Sequence, residues 1–265
     1  MATAESTSVR LHYEISGSAH REALVLINSL GSSLKMWDKV VPAFEKRFTV
    51  VRFDIRGHGD SWSTPGHYTI DQLGRDVLFL LDELGLLRVN LCGLSLGGMI
   101  AMWLGIHAPD RILKIVLANT AARIGTVDGW DRRIDEVQAG GMRPIASAAV
   151  DRWFTSSYRD QHPMEMELIE GMIAATSPDS YASCCRVLRD TDLSAQLSSI
   201  NAQCLVIGGA HDPATPLSDA HALQRALPRS KYVELDASHL SAWERHEEFS
   251  QAVLSFLSEK EYSHG

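Results

Sequence analysis

Short runs of Val, Ile and Leu alternate along this chain with longer stretches whose apolar positions recur every three or four residues. The short runs predict strands at 10–15, 24–28, 49–54, 89–92, 112–117, 204–208 and 232–235. Several, such as Leu24-Val25-Leu26-Ile27 and Ile115-Val116-Leu117, are apolar throughout, as strands covered on both faces must be. The longer stretches predict helices at 36–45, 69–84, 96–107, 217–226 and 247–258, with Gly85, Pro109 and Pro228 standing where three of them should stop. Strand–helix alternation of this kind implies a mostly parallel central sheet flanked by helices. Between about 120 and 199 the rhythm breaks. That stretch carries helical segments, no strand, and a heavy load of Trp, Arg and Met. It reads as a helical cap inserted into a core made of 1–119 and 200–265.

Composition narrows the class further. At 265 residues the chain is long enough for one large α/β domain with an inserted subdomain. A formal net charge of -8 argues against a nucleic-acid partner, which would select a basic face. No apolar run reaches the roughly 18 residues that span a bilayer, and the polar first ten residues lack the apolar centre of a secretory signal. Cys92, Cys184, Cys185 and Cys204 are too few for a disulfide scaffold and fit reduced, buried thiols, so a cytoplasmic protein is expected. No spacing of Cys, His or carboxylates matches a metal site, and no metal is expected.

The chemistry concentrates at Gly93-Leu94-Ser95-Leu96-Gly97, which falls between an apolar strand and an apolar helix. The bare G-x-S-x-G pattern is a weak signal; its placement makes it a nucleophile elbow, with glycines where side chains would collide across a tight bend. An acyl-transfer serine needs a base. Of eleven histidines, His239 follows the last predicted strand, where a loop at the carboxyl edge of the sheet reaches the elbow. His58, in Arg56-Gly57-His58-Gly59, is the competitor and reads as structural and pocket-forming. Asp212, after the strand at 204–208, supplies the acid in the order Ser, acid, His. Asp236 shares the loop of His239 and Asp54 precedes the serine, so neither suits the role, and His211 beside Asp212 reads as incidental. The expected oxyanion donors are the backbone N–H groups of Leu96 and, from the loop Asn28-Ser29-Leu30-Gly31, of Leu30.

With these residues in place the chain resembles the α/β-hydrolase superfamily over essentially its whole length. Asp54-Ile55-Arg56-Gly57-His58-Gly59-Asp60-Ser61, the elbow, Gly208-Gly209-Ala210-His211-Asp212 and Ser238-His239 occur in the order that superfamily uses. Within it, the chain is most similar to 3-oxoadipate enol-lactonases of aromatic catabolism, the β-ketoadipate pathway. The segments carrying the likeness are Asn119-Thr120-Ala121-Ala122-Arg123-Ile124-Gly125, Arg152-Trp153-Phe154-Thr155, Tyr181-Ala182-Ser183-Cys184-Cys185 and the stretch from Val233 to His239. Asn28-Ser29, where His-Gly is more usual, agrees with the same group. The resemblance implies a cofactor-free enzyme that opens a small anionic lactone. Such a substrate calls for apolar walls and a cation, and Arg133 with Trp130 and Trp153 are the candidates, Arg pairing a carboxylate through its fork. The alternative is that Arg132 and Arg133 are solvated helix residues. The same triad also serves carboxylesterases, perhydrolases and C–C hydrolases, which differ in the cap, and a non-catalytic receptor shares the fold. A dehalogenase would carry aspartate at the position of Ser95.

Overall fold

The computed structural model describes residues 2–5 and 9–259. Eight strands among them form one sheet: β1 (Ala2–Glu5), β2 (Arg10–Ser16), β3 (Ala23–Ile27), β4 (Thr49–Phe53), β5 (Val89–Leu94), β6 (Ile112–Ala118), β7 (Gln203–Gly209) and β8 (Ser230–Leu235). Their spatial order is β1-β2-β4-β3-β5-β6-β7-β8. β1 pairs antiparallel with β2 and β2 with β4; every other pairing is parallel. β3 and β5 are buried at every residue, so helices must cover both faces.

The helices are α1 (Val41–Phe44), α2 (Ile70–Glu83), α3 (Leu96–His107), α4 (Val127–Gly140), α5 (Met142–Trp153), α6 (Ser156–Gln161), α7 (Pro163–Ala174), α8 (Pro178–Asp190), α9 (Leu217–Ala226), α10 (Ser241–Glu244) and α11 (His246–Ser258). α3 packs on β5 and β6, α2 on α3, and α9 on β7 and β8, while α1 lies against α11. α3 is buried from Leu96 through Gly105. A helix so apolar all round belongs to the interior. α4 to α8 all fall between β6 and β7, the stretch where the strand–helix rhythm breaks.

Two sequence expectations change. The helix expected over 36–45 is a 3-10 turn, Leu34–Trp37, followed by the four-residue α1. Pro42 sits at its start; within a continuous helix its ring would displace the hydrogen bond to residue 38. The polar N-terminus contributes β1, an edge strand with Ala4 alone buried, too short for alternation to reveal. The four cysteines are free and buried, as expected, and burial pushes Cys185 and Cys204 up to about 12.

Register explains why one edge of the sheet carries the chemistry. Ile27 pairs with Gly93, Gly93 with Leu117, and Leu117 with Val206; one step on, Leu94 pairs with Ala118 and Ala118 with Ile207. The carboxyl ends of β3, β5, β6 and β7 are therefore level, and the loops that follow them converge. In open α/β sheets that edge is where ligands bind.

Candidate active site

Ser95 leaves β5 and caps α3 with φ 57° and ψ -117°. A non-glycine residue in this region costs about 1–3 kcal/mol and persists only when its surroundings hold it. Here they do. The Ser95 N–H donates to Ala118 O at 3.0 Å. Its carbonyl accepts from Gly98 N at 2.9 Å, Met99 N at 3.1 Å and Thr120 Oγ1 at 2.7 Å. The glycines at the bend are sterically required. A Cβ on Gly93 would lie 2.2 Å from Gly97 O, and one on Gly97 would lie 2.1 Å from Ile27 O.

Asp212 and His239 arrive on the loops after β7 and β8. His239 Nδ1 lies 2.7 Å from Asp212 Oδ2, with both side chains almost wholly buried. Oδ2 also accepts from Thr215 Oγ1 at 2.7 Å and Asn119 Nδ2 at 3.0 Å, while Oδ1 accepts from Ala214 N and Thr215 N at 2.8 and 3.1 Å. Burial pushes the Asp212 carboxyl up, but the charge of His239 and these hydrogen bonds outweigh it and bring the group down to about 2. A carboxylate so held stays ionised and fixes Nδ1 as the imidazole's donor, which leaves Nε2 as the basic nitrogen. Asp236 points elsewhere, to His211 Nε2 at 2.8 Å and Arg245 Nη2 at 2.9 Å on the surface. Asp54 accepts from His12 Nδ1, Leu34 N and Asp60 N. His12, Asp54 and Asp60 are also the one metal-sized cluster among the described residues, and none of them lines the cavity at Ser95.

His58 is buried, donates from Nδ1 to Arg56 O at 3.2 Å and accepts from Gly31 N at 2.9 Å. Burial lowers it to about 4, so it is neutral and serves as an acceptor that pins the 28–31 loop. In that loop Ser29 N–H is taken by Met36 Sδ and Gly31 N–H by His58. Leu30 N–H, between them, has no acceptor among the described residues. Leu96 N–H, in the first turn of α3, has no intrahelical acceptor either. Both expected oxyanion donors are thus unspent.

Ser95, His239, Ser29 and Leu30 line one cavity of about 320 Å³, and Trp130, Arg133 and Trp153 line it too. Trp130 donates its indole N–H to Ile124 O at 2.6 Å and so presents an apolar face. Arg133 lies 3.4 Å from Glu136, one turn on along α4, with its side chain 22% exposed. The sequence reading missed Arg152 and Tyr181, which share the wall. Arg152 has no ion-pair partner among the described residues. Its acidity is raised by burial and then by the charge of Arg133 nearby. Asn119, with φ 44°, was also missed: it donates to both Asp212 Oδ2 and Ser238 O. The signal for Arg152 was present, next to Trp153; Asn119 opens one of the segments that carry the family likeness, but nothing in the sequence pointed to its contact with Asp212.

A strained serine after the fifth strand, sharing a cavity with a histidine that an aspartate from another loop holds, is the arrangement of residues found in serine hydrolases of the α/β type. The chain belongs to the alpha/beta hydrolase fold family, whose model matches residues 22–246. Among its relatives, 3-oxoadipate enol-lactonase 2 of Acinetobacter baylyi is 40% identical over 255 residues, 96% of each chain. 3-Oxoadipate enol-lactonase 1 of the same organism is 36% identical, covering 93% of this chain and 92% of that one. The crystal structure of the enol-lactonase from Burkholderia xenovorans superposes with a TM-score of 0.96 at 41% identity, over 97% of this chain and all of that one.

Proposed function

We propose that this chain hydrolyses 3-oxoadipate enol-lactone to 3-oxoadipate, a step of aromatic catabolism in the β-ketoadipate pathway, with Ser95 as nucleophile, His239 as base and Asp212 as its orienting acid. The observation that carries the reading is the wall facing the triad. Two arginines, one of them without an ion-pair partner among the described residues, stand among Trp130, Trp153 and Ile173, which suits a small apolar ring bearing one carboxylate. Relatives named for this activity match along almost the whole chain.

In this mechanism His239 Nε2 takes the hydroxyl proton as Ser95 Oγ adds to the lactone carbonyl. The oxyanion accepts from the Leu30 and Leu96 amides, each such donor contributing roughly 3–4 kcal/mol to the transition state. Collapse breaks the ring C–O bond. The enolate released takes the proton back from His239 and ketonises, still tethered through the acyl ester. Water then gives a proton to His239 and adds to that ester, and Ser95 leaves with the proton as the keto-diacid departs.

In this reading the described residues of 1–119 and 200–265 form the core and 120–199 the cap, since α4, α5 and α8 contribute Trp130, Arg133, Arg152, Trp153 and Tyr181 to the cavity. Cytoplasmic action accords with four unpaired thiols; no described helix is long and apolar enough to cross a membrane. The test is consumption of freshly generated enol-lactone by the purified protein. Ser95→Ala should abolish turnover and leave the thermal transition intact; robust residual lactonase activity in that variant would refute the nucleophilic role.

A further inference from the structure

The histidine loop does not stand alone. Residues 238–244 are bonded to the end of α5 and the start of α6, more than 80 residues away in sequence. Ser238 Oγ donates to Arg152 O at 2.7 Å, and Leu240 N donates to Trp153 O at 2.9 Å. Glu244 spans the same junction: its carboxylate accepts from Ser238 N at 2.9 Å, from Thr155 Oγ1 at 2.5 Å and from Thr155 N at 3.3 Å. His239 lies between Ser238 and Leu240, and Arg152 and Trp153 line the cavity. The Trp153 and His239 rings are 6.3 Å apart between centroids.

Glu244 is 7% exposed and has no Lys, Arg or His within ion-pair distance among the described residues. Burying a carboxylate with no cation is unfavourable unless donors satisfy it fully. Here every contact offers a donor, two N–H groups and one hydroxyl, and a carboxylate accepts from all three. A neutral amide would turn its NH2 toward one of them. The donors come from two segments with distinct tasks, the base loop and the substrate wall.

We propose that Glu244 is a positioning residue that locks the substrate wall, Arg152 and Trp153, in register with the base, His239. Together with the Ser238–Arg152 and Leu240–Trp153 hydrogen bonds, its carboxylate then holds the substrate anion and the reacting carbonyl a fixed distance apart. The proposal rests on the reading of His239 as base and of the arginine wall as the carboxylate contact, and deepens it by naming what sets the spacing between them.

The test compares mono-4-nitrophenyl succinate, which carries an acyl carboxylate, with 4-nitrophenyl acetate, which does not, alongside the enol-lactone. Glu244→Gln should lower the ratio of kcat/KM for succinate over acetate about tenfold, the loss of one charge-assisted buried hydrogen bond, mostly through KM. Thr155→Val should shift the ratio similarly although it also removes the α6 cap to Tyr158 N. Thr155→Ser, which keeps the hydroxyl, should restore it. The double variant should be no worse on the ratio than either single one. Equal losses on both esters, no loss at all, or additive effects would overturn the proposal. Wild-type protein that turns over the nitrophenyl esters but leaves the enol-lactone intact would refute the function proposed above, while the ester ratio would still decide the role of Glu244.

Discussion

Arg152 shows how a single residue can carry function against stability. Its guanidinium is half-buried, unpaired among the described residues and beside the like charge of Arg133. Neither burial nor repulsion helps the fold, so a compensating anion is expected from the substrate. Arg152→Met should raise KM for the enol-lactone tenfold or more, by roughly the 1.5–3 kcal/mol of a charged hydrogen bond, yet leave the thermal midpoint unchanged or higher. A lower midpoint with an unchanged KM would show that the arginine is structural. Asn119 presents the complementary case. It accepts a left-handed backbone to aim one amide at Asp212 and Ser238 together, and Ser241 Oγ donates to its Oδ1 at 2.5 Å. Such a role is invisible in sequence, because an asparagine after a strand is ordinary.

At the scale of elements, the packing of α2 on α3 sets how firmly the helix behind Ser95 is seated. α2 follows its N-cap Thr69, which accepts from Gln72 N at 3.1 Å, and buries Leu73, Val77, Leu80 and Leu81. Gly74 on the same face admits the Trp103 ring: a Cβ there would lie 2.0 Å from Trp103 Cε3. Trp103 is itself 4% exposed and stacked on His107 at 4.5 Å, so it has little room to move. Helix propensity favours Ala over Gly by about 1 kcal/mol, while overpacking costs about 1–3 kcal/mol. Gly74→Ala should therefore destabilise the protein in denaturant titration; a gain in stability would show that the two helices can slide apart. The periodicity of α2 and α3 was legible in the sequence to within a residue or two at each end. The expected helix over 36–45 failed because Pro42 breaks the ladder in a segment whose apolar spacing still looks helical.

At the scale of the molecule, acid should unfold this protein earlier than its carboxylates alone imply. His58 titrates near 6.5 in the unfolded chain and near 4 when folded, since burial disfavours its cation. The unfolded state therefore binds the extra proton between these values. Stability is whole above about pH 6.5 and falls as pH drops toward 4, by about 3 kcal/mol from this group. Asp212, lowered to about 2, adds a further loss below about pH 4. Thermal midpoints measured from pH 7.5 down to 4.5 should decline, and His58→Asn should flatten the decline; a flat wild-type profile would rule the histidine out as its source.

Sequence by itself determined seven of the sheet's eight strands, the elbow and the chain order of the proposed nucleophile, acid and base, because these follow from local rules: the period of apolar residues, the glycines a bend requires, and chain order at a parallel sheet's edge. It also singled out Trp130, Arg133 and Trp153 through the family likeness. Tertiary structure alone decided that His58 is a neutral pin for the 28–31 loop, that Asp236 faces the surface, and that Arg152 joins Arg133 in the cavity wall. It alone joined Glu244 to Thr155 across the base loop. These depend on segments far apart in sequence meeting at one place, where burial and the partners available fix what each polar group does.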